Sequence, residues 1–173
     1  SIDRCFYYAA WADKYDGQVH GAPLRAVVYT RNEAIGSAGV VAPRESALLG
    51  LLSSTLPLLA MGNTVTVVPS DLNPLPACEL YRVLEASDFP GGSFNILTGD
   101  QKELASVLAN HDTVQVLWSF LGAESAEGLE RASVGNLKQT WCPMHNIAWF
   151  EAPHPEFLRR AVQVKNIWTP FGS

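Results

Sequence analysis

The chain has 173 residues, 47% of them hydrophobic, enough for one globular core of ordinary size and too few for a second full domain. Lys and Arg number 12 against 17 Asp and Glu, and the net charge of −5 opposes attraction to phosphate backbones or anionic lipid. Nucleic acid and membrane are therefore not expected as partners, and the odd set Cys5, Cys78 and Cys142, without CxxC spacing, suggests neither a disulfide framework nor a zinc site and fits a reducing cytoplasm.

Taken in chain order, Ile2, Cys5, Phe6, Ala9 and Ala12 recur at helical spacing, with Cys5 on the inner stripe and Gly17 as a C-terminal cap region. Ser1 falls inside this pattern with no initiator Met, so a fragment of a longer protein is expected. Residues 18–29 suggest a β-hairpin. A run of small and β-branched residues follows over 35–41, and Pro43 is expected to open a central helix carrying Leu48, Leu49, Leu52, Leu56 and Leu59. The apolar stretch 47–61 is broken by Ser53, Ser54, Thr55 and Pro57 and falls short of the ~20 residues of a membrane span. Thr64 to Val68 reads as a strand covered on both faces. Asn73 is expected to cap a helix with Pro74 at its first position and Ala77, Cys78, Leu80, Val83 and Leu84 facing inward. Ser93 to Leu97 reads as a strand, and Asp100 with Glu103 has capping-box spacing before Leu104, Val107 and Leu108. A strand over 114–119, a helix over 123–134, a strand over 146–151 and a last helix from Pro155 through Val162 complete the reading. Such alternation predicts an α/β domain: a doubly wound, Rossmann-like, mostly parallel sheet of about five strands with helices on both faces, plus the hairpin.

Ligands in such sheets bind beyond the carboxyl ends of strands, which places a site at the turns after Val68, Leu97 and Ser119. Three segments there and upstream carry a family likeness: Phe6 to Lys14, the run Ala60-Met61-Gly62-Asn63-Thr64-Val65-Thr66-Val67-Val68-Pro69-Ser70-Asp71 followed by Asn73-Pro74, and Asn95-Ile96-Leu97-Thr98-Gly99-Asp100. Together they resemble the cofactor-binding domain of aldehyde dehydrogenases. The resemblance implies a single truncated domain over 1–173 with that fold, and the hairpin 18–29 resembles the family's oligomerisation element. Within the superfamily, the tail Trp168 to Gly172 and the loss of catalytic groups look most like the degenerate second unit of the two-domain family 16 proteins.

The resemblance also implies which groups have changed. The family turn Lys-Pro-Ser-Glu, which holds the adenosine ribose, is here Val68-Pro69-Ser70-Asp71. Without the lysine, a charge-assisted bond of ~1.5 to 3 kcal/mol is lost, enough to weaken a dinucleotide roughly ten- to a hundred-fold. Pro69, Ser70, Asp71 and Gly99 remain as vestigial cofactor-binding candidates; the same residues also suit a plain turn and a positive backbone angle before the Asp100 cap. Phe120 replaces a close-approach glycine at the helix end that receives pyrophosphate, and is expected to fill that space. Pro43-Arg44-Glu45-Ser46-Ala47 aligns with Pro-Trp-Asn-Phe-Pro, putting Glu45 at the place of an oxyanion-stabilising amide. After Asn136-Leu137-Lys138 the segment that supplies the general base is replaced by Gln139 to His145, and the nucleophilic cysteine would belong to a following domain. Cys142 with His145 is a poor substitute, because Pro143 interrupts any helix that would align them, and Cys142 reads instead as a buried or partly buried small hydrophobe. Trp141, Trp149, Trp168 and Phe171 are expected in the core or at an interface.

The resulting expectation is an aldehyde dehydrogenase-like domain without catalytic or metal-binding residues, acting as a scaffold or in oligomerisation. No cofactor is expected, with NAD or NADP bound weakly if at all. Protein partners, a homo-oligomer or the rest of a parent aldehyde dehydrogenase are the expected contacts. The alternative is the NAD(P)-binding part of an oxidoreductase whose activity resides elsewhere in the parent.

Overall fold

A computed structural model describes residues 1–172; Ser173 lies outside the described residues. In chain order the elements are α1 (Ile2–Trp11), β1 (Val19–His20), β2 (Ala26–Ala34), β3 (Ser37–Val41), α2 (Leu49–Ala60), β4 (Thr64–Val68), α3 (Leu75–Glu85), β5 (Phe94–Ile96), α4 (Gln101–Asn110), β6 (Val116–Ser119), α5 (Ala123–Ala132), a 3-10 turn (Ser133–Asn136), β7 (Gln139–Trp141), α6 (Glu156–Arg160) and β8 (Val162–Pro170). Five of the strands form a parallel sheet in the order β5-β4-β3-β6-β7, doubly wound about β3, and β1-β2-β8 form a separate antiparallel sheet.

The two-residue period of the parallel strands divides the core. Ala38, Val40, Val65, Val67, Val116 and Trp118 face α2, α3 and α6, joined there by Leu51, Ala77 and Phe157. Val41, Val68 and Leu117 face α4 and α5, packing on Ala105, Leu108 and Leu129. Helices thus cover both faces, and no helix among the described residues is long and apolar enough to cross a membrane.

Asn63 knots the sheet to its helices. Its amide oxygen accepts from the backbone N–H of Ile35 (2.7 Å) and Gly36 (2.9 Å), and its nitrogen donates to the carbonyls of Leu58 (2.9 Å) and Ala161 (2.7 Å). At 3% exposure, every one of these bonds replaces a water contact that burial removes.

Several expectations change. The fifth parallel strand is β7, not 146–151, which forms turns closed by Trp149 N–H to Ile147 O and Glu151 N–H to Ala148 O. The last helix stops at Arg160, and the chain turns into β8, whose register from Ala34↔Val162 to Ala26↔Pro170 is set by the distant β2. Helix α2 begins at Leu49 rather than Pro43; Pro43 instead packs so close to Gly50 that a Cβ there would meet its Cγ at 2.3 Å. Asn73 makes no cap, since α3 starts after Pro74 without a side-chain hydrogen bond. Gly17 is not a cap either: a Cβ at that position would overlap Thr30 O at 1.7 Å, so glycine permits the close pass over β2.

Stripes on surface helices are also narrower than their apolar spacing implies. Ile2, Phe6, Val83 and Val107 face solvent, and Cys5 and Cys78 are exposed rather than inward. Trp141 and Trp149 enter the core, whereas Trp168 and Phe171 lie more than half exposed. By contrast, Asp100 caps α4 as expected, accepting the Glu103 N–H at 2.8 Å.

Candidate functional site at the carboxyl ends of the strands

The chain order reverses across β3, so the ends of β3, β4 and β6 are where this topology offers a crevice. Four predicted residues fall there or beside it. Pro69 is buried, and the Ser70 hydroxyl, fully buried, donates to the Arg44 carbonyl at 2.9 Å. Asp71 Oδ2 accepts from Arg44 Nη2 at 2.5 Å, while its Oδ1 is buried without a partner among the described residues. Gly99 is exposed and lacks a positive φ, so it does not serve the backbone angle expected of it; a Cβ there would instead press Leu104 Cδ1 at 3.0 Å.

Arg44 ties these turns together, and sequence reasoning missed it. Its Nε donates to Gln101 Oε1 at 3.1 Å, and Gln101, fully buried at the start of α4, passes its amide N–H to Ala42 O at 2.7 Å. One guanidinium therefore links the ends of β3 and β4 to the residue two positions after Gly99. The available signal was an arginine next to a proline just beyond a strand, with an acid of opposite charge beyond the neighbouring strand. Val68, at the place of the absent lysine, is fully buried between Val41 and α4.

The second part of the region lies between β3 and β6. Glu45 accepts the Trp149 indole N–H at 3.1 Å. The Phe120 ring packs edge-on to Trp141 and Trp149, with centroids at 5.6 and 5.1 Å, and stacks loosely on Phe157. Gly122 (φ +94°) then leads into α5, and a cleft of about 100 Å³ lies among Glu45, Phe120, Gly122, Ala123 and the 143–149 loop.

Cys142 is partly buried beyond β7. Burial raises its thiol pKa to about 11, with the Glu130 charge acting the same way and a Ser119 backbone hydrogen bond acting against it. No hydrogen bond joins it to His145, and no cluster of three or more His, Cys, Asp or Glu suited to a metal forms, among the described residues.

The model of the aldehyde dehydrogenase family matches residues 1–141. An aldehyde dehydrogenase of Agaricus bisporus is 32% identical over 140 residues, covering 80% of this chain and 28% of that protein. Human retinaldehyde dehydrogenase 3 is 33% identical over 135 residues, covering 77% and 26%. The crystal structure of PnpE from Pseudomonas sp. WBC-3 superposes with a TM-score of 0.74 at 27% identity, over 80% of this chain and 29% of that one. The chain thus spans about a quarter to a third of the length of these relatives.

Proposed function

The chain belongs to the aldehyde dehydrogenase family, and from that premise we propose that it is a non-catalytic member that works through protein contacts, as a scaffold or in an oligomer. The observation that carries this reading is Glu45. It stands where the resemblance implies an amide donor to an oxyanion, and it is itself an acceptor, held by the Trp149 indole. An ionised carboxylate offers no hydrogen to a developing alkoxide, and losing one such donor costs about 2.7 to 4 kcal/mol of transition-state stabilisation. Cys142 supports the same reading, since a thiol with a pKa of about 11 carries little thiolate at neutral pH. The purified chain, given NAD or NADP with a panel of aldehydes, is expected to form no reduced nicotinamide; sustained formation of the reduced cofactor would refute the reading.

Contacts with other proteins are supported by the antiparallel sheet. Among the described residues strand β8 pairs only with β2; Val164 and Trp168 of β8 are exposed, as are Val27 of β2 and Val19 of the opposite edge strand. Such an edge invites pairing with a second copy, another protein or the rest of a parent chain. Three unpaired cysteines support a cytoplasmic setting.

A second reading, favoured by Pro69, Ser70, Asp71 and Gly99 near the strand ends, is a dinucleotide-binding module whose parent carries the activity elsewhere. Arg44 already occupies Asp71 Oδ2, which supports weak NAD or NADP binding if any. Calorimetric titration separates the readings: heat at micromolar nucleotide favours the module. The parent's full sequence tests the activity, through the presence or absence of a Gly-Gln-x-Cys segment.

A further inference from the structure

The turns and helix of residues 141–157 wrap over the sheet face that carries α2 and leave a cavity of about 200 Å³. Its walls include Trp141, Trp149 and Phe157, none more than 8% exposed. The Trp141 and Phe157 rings meet edge-on with centroids 4.9 Å apart, which fixes both planes.

Ser53 of α2 also lines this cavity. It is 1% exposed, and its hydroxyl has no hydrogen-bond partner among the described residues. Its neighbours behave differently: the Ser54 and Thr55 hydroxyls both donate to Leu51 O, at 3.0 and 2.8 Å. Helical hydroxyls ordinarily return to the preceding turn in this way. Ser53 alone of the three keeps its donor and acceptor capacity free, at the wall of a cavity, where a buried polar group calls for a partner.

Two of the charged groups at the rim, Arg4 and Glu156, already have partners. Arg4 donates to the carbonyls of Trp149 (3.0 Å) and Glu151 (2.8 Å), which ties α1 to the loop. Glu156 pairs with Arg160, whose guanidinium lies 4.7 Å over the Trp141 ring. Arg4 and the exposed Glu151 carboxylate are in no ion pair among the described residues, but the buried wall of Ser53, Trp141, Trp149 and Phe157 holds no charge, so the part of a guest that reaches this wall is neutral. Size narrows the choice further. An apolar cavity of about 150 Å³ accepts benzene, so about 200 Å³ has room for one ring with a small substituent.

We propose that this cavity binds a small, neutral, flat aromatic molecule bearing one hydroxyl. The ring packs against Trp141, Trp149 and Phe157, and the hydroxyl exchanges a hydrogen bond with Ser53. The cavity adjoins the cleft beside Glu45, sharing Trp149 and residues 145–147 with it, but includes none of Pro69, Ser70, Asp71 and Gly99, so it stands whether or not a dinucleotide binds.

Phenol and toluene test it, because they share a shape and differ in the hydroxyl. Titrated into the 173-residue chain, phenol is expected to shift the indole N–H resonances of Trp141 and Trp149 saturably. Ser53→Ala removes an unpartnered hydroxyl and leaves the fold intact, as its melting temperature will show. It is expected to weaken phenol about three- to tenfold, the worth of one ordinary hydrogen bond, and to leave toluene within about twofold. Ala148→Leu, at an exposed lining position, is expected to fill the cavity and weaken both. The proposal is overturned if phenol does not saturate those resonances, if Ser53→Ala affects phenol and toluene equally, or if Ala148→Leu leaves both unchanged.

Discussion

Arg44 shows how a single side chain organises turns that are separate in sequence. It bonds to Asp71 and Gln101, while its own carbonyl accepts from Ser70. Arg44→Met would leave a carboxylate and a buried amide oxygen without their donor, a loss of about 1 to 3 kcal/mol on the scale of unmade buried hydrogen bonds. Urea denaturation should show a lower midpoint with an unchanged slope. Cys142 gives a pH-dependent counterpart. Its folded pKa of about 11 lies above the ordinary 9.0, so the folded state holds its proton more tightly than the unfolded chain. The stability this confers is complete below pH 9 and is lost as pH rises toward 11. Wild type should therefore lose more stability than Cys142→Ala over that interval. Iodoacetamide at pH 8 should label exposed Cys5 and Cys78 well before Cys142, which mass spectrometry of peptides resolves.

At the scale of elements, the buried strands were legible because β-branched runs bounded by Gly and Pro suit a sheet covered on both faces. Thr64–Val68 forms as read, and β3 and β6 lie inside their expected runs. Helix faces were harder to read. Val83 and Val107 fit an apolar period yet point outward, because the period states where a stripe could lie and not how far the neighbouring sheet extends. Helix α4 ends by a device no local pattern reveals. The Lys138 ammonium, arriving 30 residues after Leu108, donates to the carbonyls of Leu108 (3.2 Å), Ala109 (2.6 Å) and His111 (3.0 Å). Burial lowers its pKa, opposed by the Asp112 charge, and the carbonyls compensate the ammonium directly. Lys138→Met should cost about 1 to 3 kcal/mol. Hydrogen exchange should quicken in the last turn of α4 and at β7 more than elsewhere; uniform acceleration would contradict a local capping role.

Over the whole molecule, the parallel sheet is closed into a two-sided core while the antiparallel sheet stays open. Among the described residues its β8 edge has no further strand, and Val27, Val164, Trp168 and Phe171 are exposed. The proposed role in protein contacts predicts concentration-dependent association through that surface. Light scattering should report a mass that rises with concentration, and Trp168→Lys should shift the rise to higher concentration. A monomer that stays monomeric at high concentration would count against it. Such a substitution leaves the core residues untouched, so a parallel melting curve distinguishes lost association from lost folding.

Local chemistry alone specified the α/β alternation, the two-sided burial of β4 and the Asp100 cap, because β-branched runs, turn residues and capping spacings act within a few residues, and the quoted motifs carried the family resemblance. Tertiary structure alone decided that Arg44 clasps Asp71 and Gln101, that Lys138 ends α4, that β7 closes the parallel sheet, and that 162–170 is a strand. Each of these depends on partners tens of residues away or more. A long-range hydrogen bond or strand register is selected by which surfaces meet once the chain has collapsed, and no short window of sequence carries that information.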